Sequence, residues 1–154
     1  RKLDFVRTQY QKVCDYAADK GVTPLIETNG VFADTKVTAD FIKDVNRTNA
    51  GVLWDIHHPY RYFGELPETT LRHLDGHIKY LHIKDSVMKD GKVSYRMLGY
   101  GGIPVLDCLR QLKKNGFDGY VSLEWLKRWC PDLQEPGVVF SHYISYMSYL
   151  IRQL

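Results

Sequence analysis

Apolar positions along this chain fall into two alternating rhythms. Leu3, Val6, Tyr10, Val13 and Ala17 recur at intervals of three or four, the spacing of an amphipathic helix, and Gly21 follows as its stop. The next apolar residues are instead continuous, in the short run Thr23-Pro-Leu-Ile-Glu27, and three more such runs follow: Gly51-Val-Leu-Trp-Asp55, Lys79-Tyr-Leu-His82 and Gly119-Tyr-Val-Ser-Leu-Glu124. Runs this short predict buried strands. Helical spacing returns between them. Asp34 is placed to cap a helix carrying Val37, Phe41, Ile42 and Val45, and Pro67 suits the first turn of one with Leu71, Leu74 and Ile78 on a single face. Val105, Leu106, Leu109 and Leu112 mark another, ended by Asn115-Gly116, and a last helix is expected over about residues 138 to 153. The stretch from Asp85 to Gly102 is expected to be a loop.

Strands thus alternate with helices, with no sign of an antiparallel hairpin, and the pattern predicts an α/β fold with a parallel sheet. Four strands are too few to close a barrel, and an open four-strand parallel sheet would leave bare edges that proteins normally cover. The expected architecture is therefore a (β/α) half-barrel of four strand-helix units, completed by a missing half or by another chain. A small open α/β sheet is the other arrangement that fits. The length of 154 residues and the 44% hydrophobic content suit a single domain, 1–154, with a real core.

The four runs share a second property: each closes on Glu27, Asp55, His82 or Glu124. Asp55 follows Glu27 by 28 residues, His82 follows Asp55 by 27, and Glu124 follows His82 by 42. The first two intervals approximate the roughly 30 residues of a strand-plus-helix unit in a (β/α)8 barrel, whose active sites sit at the carboxyl ends of the strands. On neighbouring parallel strands the four side chains converge at one end of the sheet. Three carboxylates and one imidazole form a hard, oxygen-rich set suited to one divalent ion, Mn²⁺ or Mg²⁺ first, with Co²⁺ or Zn²⁺ also accommodated. Taken singly, each carboxylate could equally be a helix cap or a structural ion pair; it is the joint placement that points to a site. His58 completes D-x-x-H with Asp55 and can reach the same pocket, and His57 beside it is less compelling.

Composition narrows the function classes. The formal net charge is +3, and the basic residues are scattered among 18 acids, which gives little support for a nucleic-acid partner. No apolar run is long enough to span a bilayer and the first residues lack a signal-peptide pattern, so a cytoplasmic location is expected and a membrane partner is not. Cys14, Cys108 and Cys130 are odd in number, without CxxC spacing, and indicate neither a disulfide framework nor a thiolate zinc site.

Glu27 in LIETNG, Asp55 and His58 in WDIHH, His82 in YLHIKD and Glu124 in SLEW resemble, in this order, the carboxyl-terminal half of the sugar phosphate isomerase/epimerase family, which has the xylose isomerase-like TIM-barrel fold. The resemblance runs over essentially the whole chain and includes Leu98-Gly99-Tyr100-Gly101-Gly102-Ile103-Pro104, similar to the family's glycine turn before the seventh helix. It implies a divalent metal held by Glu27, Asp55, His82 and Glu124, with His58 contacting a substrate oxygen. The related abasic-site endonucleases need further zinc ligands, including a D-x-H where this chain reads Tyr95-Arg96-Met97, which argues against a nuclease.

The residues support the same chemistry. Proton transfer beside a carbonyl needs a base, a second acid or base, and an electrophile that lowers the cost of the developing enediolate. Glu27 and Glu124, on the first and last strands, are the expected catalytic pair for a metal-dependent isomerase or epimerase of a small sugar or sugar phosphate. Two alternatives stay open: a metal-dependent dehydratase of a keto-inositol or dehydroshikimate type substrate, and a catalytically silent sugar-binding half-barrel. Lys84 is a candidate substrate contact, and so is Arg96 if the substrate carries phosphate. Asp85 could contact substrate or fix its loop. Trp54 and Trp125 are expected to point away from the pocket, and Trp129 could wall a sugar ring.

Overall fold

The computed structural model describes residues 2–154. A first helix, α1 (Lys2–Ala18), leads into β1 (Leu25–Glu27). A 3₁₀ turn over Gly30–Ala33 precedes α2 (Thr35–Val45), β2 (Gly51–Asp55), and two short helices, α3 (His57–Phe63) and α4 (Pro67–His73). Then come β3 (Ile78–Ile83), β4 (Asp85–Lys89), β5 (Lys92–Arg96), α5 (Val105–Lys114), β6 (Tyr120–Leu123) and α6 (Pro136–Ile151). Four strands form one parallel sheet in the order β1-β2-β3-β6. This is an α/β, TIM-barrel-like sheet that does not close.

Local chemistry accounts for the boundaries. The Asp34 carboxylate accepts the N–H groups of Lys36 and Val37 at the start of α2, as the capping pattern predicts. α2 ends on Asn46 in the left-handed conformation. Pro67 opens α4, which stops at His73, so Ile78 belongs to β3 and not to a helical face.

The largest departure from the expected pattern is the hairpin. Asp85 to Gly102 is not all loop: β4 and β5 pair antiparallel from Asp85↔Arg96 to Lys89↔Lys92. Asp90 (φ 50°) and Gly91 (φ 73°) make the turn, both in the left-handed region that a two-residue hairpin demands. A second departure is α3. The residues after Asp55 coil at once into a helix that the apolar pattern did not predict, and His57 and His58 occupy its first turn.

Alternation along the strands separates two faces. Val52, Trp54, Leu81 and Ile83 are buried beneath the helices. Trp54, Leu81 and Ile83 join Leu109, Met147 and Leu150 in the main core, while Val52 packs with Tyr10, Phe41 and Val45 under α1 and α2. Leu25, Leu53, Tyr80 and Ser122 alternate with these on the other face and are only half-buried. That face also carries the four strand-end residues.

Candidate metal centre

The backbone brings the strand ends level. Asp55 pairs in register with His82, and His82 with Ser122, so Glu124 lies one step beyond. Its N–H donates to the carbonyl of Ile83 at 3.0 Å, which continues the β3–β6 ladder past the end of the strand. Thr28, just after Glu27, performs the equivalent function on the other side. Its hydroxyl donates to the Asp55 carbonyl at 3.2 Å and accepts the Asp55 N–H at 2.9 Å.

On this frame Glu27, Asp55, His82 and Glu124 each present a donor atom, and the four atoms lie within 4.8 Å of one another. His82 Nδ1 is 3.2 Å from Glu27 Oε1. That bond holds the Glu27 carboxyl below its usual range and raises the imidazole, in both cases against the opposing effect of burial. Asp55 is fully buried. Its Oδ1 accepts the N–H of His57 at 2.9 Å, and its Oδ2 takes the ammonium of Lys84, which also bonds Glu124 Oε2. Burial pushes Lys84 down, but its two carboxylate partners outweigh burial and leave the ammonium more firmly charged than a free lysine. Burial likewise raises the Asp55 carboxyl, and Lys84, His58 and the His57 N–H oppose it. With an ammonium in direct contact, we describe the pair as ammonium and carboxylate.

This donor set fits a divalent cation. Three carboxylates and an imidazole converge from four strands, and a cation, the Lys84 ammonium, is already seated between two of them.

The other expected contacts divide. His58 does reach the cluster: its Nδ1 is 3.0 Å from the Thr28 carbonyl and 3.5 Å from Asp55 Oδ2. The Lys84 side chain is turned inward to the carboxylates. Asp85 fixes its loop, accepting the N–H groups of Ser86, Gly99, Gly101 and Ile103. Arg96 Nη1 donates to Ser94 Oγ at 2.7 Å and to the Tyr95 carbonyl at 2.9 Å. It lines a cavity of about 380 Å³ between β5 and the loop after β6, with Tyr95, Cys130, Asp132 and Gln134, and none of the four donors borders that cavity. Trp54 points into the core as expected, the Trp125 indole N–H donates to the Gln134 carbonyl, and Trp129 is exposed.

His57 carries more of the site than its sequence context suggests. It is fully buried, its Nε2 is 2.8 Å from Ser86 Oγ, and Arg61 Nε donates to the same hydroxyl at 3.1 Å. Burial, reinforced by nearby positive charges, pushes its pKa down to about 3, so the ring is neutral. The side chain therefore ties α3 to β4 behind Asp55. Its adjacency to the D-x-x-H spacing was the only available signal.

The family model for the xylose isomerase-like TIM barrel matches residues 1–140. Among solved structures, a xylose isomerase domain protein from Planctomyces limnophilus is similar, with a TM-score of 0.71 and 22% identity over 96% of this chain and 51% of that one. D-allulose 3-epimerase from Methylomonas sp. gives a TM-score of 0.75 at 18% identity, over 94% of this chain and 54% of the epimerase. The probable 3-DHS dehydratase AsbF from Bacillus anthracis gives 0.68 at 18% identity, over 82% and 51%. These are likenesses of fold, and the chain spans about half the length of the structures it matches. No curated protein matches the chain.

Proposed function

The chain belongs to the xylose isomerase-like TIM-barrel family, and from that membership and its converging donors we propose that it is half of a divalent-metal-dependent sugar isomerase or epimerase. Glu27, Asp55, His82 and Glu124 would hold the ion, Mn²⁺ or Mg²⁺ by the hardness of the donors. When bound, it would polarise the carbonyl of a ketose and lower the cost of removing the neighbouring proton. The observation that carries this reading is the convergence of the four donor atoms to within 4.8 Å from four separate strand ends.

The chain's own residues divide the remaining work. Glu27, held ionised by its bond to His82, is suited to accept the proton from the carbon beside the carbonyl. Glu124 stands one step past the last strand of the sheet and would return a proton to the substrate. Return to the same carbon from the other face gives an epimer; return to the neighbouring carbon gives an isomer. His58, held by the Thr28 carbonyl, would orient a substrate hydroxyl, and Arg96 would contact a phosphate only where the substrate reaches from the centre to the neighbouring cavity beside β5. The domain, residues 1–154, would form the carboxyl-terminal half of a closed barrel, with the other half supplying the second wall of the pocket. Loss of the same proton also prepares elimination of a β-hydroxyl. The fold shared with a probable dehydratase keeps that outcome as the second reading.

Two measurements test the proposal. Calorimetric titration with Mn²⁺ should show one saturable site, lost in His82→Ala. With ketoses of five and six carbons, exchange of a carbon-bound proton with solvent should require the metal and disappear in Glu27→Gln and Glu124→Gln, with ligand binding partly retained. Exchange unchanged in both variants would sink the assignment. Appearance of a dehydrated product would favour the elimination reading.

A further inference from the structure

Lys84 immediately follows β3, two residues after His82, yet its side chain is only 2% exposed and does not face solvent. Its ammonium is enclosed between Asp55 Oδ2 and Glu124 Oε2, two of the four groups that converge on the candidate metal centre. The partners have unequal freedom. Glu124 has a second oxygen to offer. Asp55 has less, because Oδ1 already accepts the backbone N–H of His57 at 2.9 Å. A cation approaching Asp55 therefore either displaces the ammonium from Oδ2 or sits close beside it, where two positive charges around a buried carboxylate repel.

Charge counting points the same way. Three ionised carboxylates with no cation would be a charge of −3 gathered around the fully buried Asp55. Lys84 reduces this to −2, which one divalent ion would neutralise. Lys84 thus has a purpose before any metal arrives, holding two carboxylates together that would otherwise repel across the strand ends.

Resting on the metal reading above, we propose that Lys84 is a built-in counter-ion that competes with the divalent ion for Asp55 and Glu124. It keeps the centre assembled when empty and sets how tightly a metal must bind to displace it. The device selects by charge: a monovalent ion gains nothing over the ammonium already present, whereas a divalent ion does. A lysine that merely braced the site would behave oppositely on removal, since losing a brace weakens metal binding.

The test compares Lys84→Met and Lys84→Gln with the unaltered chain, by Mn²⁺ calorimetry and by denaturant unfolding with and without Mn²⁺. Both variants should bind Mn²⁺ about tenfold tighter or more. Without metal they should unfold at lower denaturant than the parent, and Mn²⁺ should raise their midpoint by more than it raises the parent's. A variant that shows no cooperative transition alone but regains one on adding Mn²⁺ gives the same answer. Equal or weaker binding in both variants would overturn the competition and leave the metal reading intact. Variants that unfold cooperatively neither with nor without Mn²⁺ would overturn it as well. Binding to none of the three proteins would remove both proposals, and binding to the variants alone would establish the counter-ion.

Discussion

Asp85 spends its whole carboxylate on backbone: Oδ1 accepts from Ser86 and Ile103, and Oδ2 from Gly99 and Gly101, all at 2.8 to 3.0 Å. This pins the Gly99–Ile103 turn to the residue after Lys84, so the direction in which Lys84 leaves β3 depends on it. Room for the arrangement comes from Gly101. A Cβ there would lie 2.1 Å from Asp85 Oδ1 and 2.6 Å from the Ser86 carbonyl, closer than any real contact. Gly101→Ala must therefore break the cradle, leaving buried N–H groups and a carboxylate without partners. The expected cost is about 3 kcal/mol, read as a lower denaturation midpoint. At Gly137 a Cβ meets nothing within 4 Å, so the same substitution there should cost much less and serves as the control. A midpoint for Gly101→Ala equal to that control would refute the account. The sequence showed the glycines as a family-like turn. It could not show which side chain they were making room for, because that partner lies 14 to 18 residues away along the chain.

At the scale of elements, the strand ends were legible and the connections less so. Short apolar runs closing on a polar residue located all four strands to within about two residues, because a strand buried on one face can carry little else. The β4–β5 hairpin was missed although Asp90-Gly91 is a strong turn signal. Its strands are short, polar and half-exposed, and the expectation of a loop took precedence. His57 and His58 were readable as a pair, but their helical turn depends on the bond from the His57 N–H to Asp55, a contact between neighbours that apolar periodicity does not report. The packing of α1 offers a prediction at this scale. Arg47, just past α2, grips Asp15 on α1 through Nε at 2.6 Å and Nη2 at 3.2 Å. The guanidinium lowers the Asp15 carboxyl below its ordinary value. In the window just below the aspartate reference of about 3.9 the unfolded chain binds the extra proton, so the latch stabilises above that window and is lost as pH falls through the lowered value. Asp15→Asn should melt slightly below the parent at pH 6. The gap should close on acidification and shrink in 1 M salt, since the pair is exposed. A gap constant with pH and salt would mean that the bond contributes shape and not charge.

The whole molecule is built around an absence on one side. β1 and β6 end the parallel sheet with no further strand among the described residues, and its donor-bearing face is less buried than the face packed on the core. Leu25, Leu53 and Tyr80 are half-buried there, and Tyr120 is 79% exposed. The two terminal helices also expose apolar groups: Phe5 and Tyr16 on α1, Phe140, Ile144 and Ile151 on α6. The solved structures that share this fold are about twice as long as this chain. A parallel sheet with both edge strands unpaired is expected to associate. The 17.9 kDa chain alone should therefore sediment with a mass that rises with concentration in the micromolar range. Tyr120→Lys, which puts a charge at the start of the edge strand β6, should lower that mass without weakening the fold, because the side chain it replaces is already in solvent. A single 17.9 kDa species with a cooperative melt across that range would contradict the half-barrel. It would mean that four strands and their helices bury enough apolar surface to stand alone, and that the centre at the strand ends works as an open surface with no second wall.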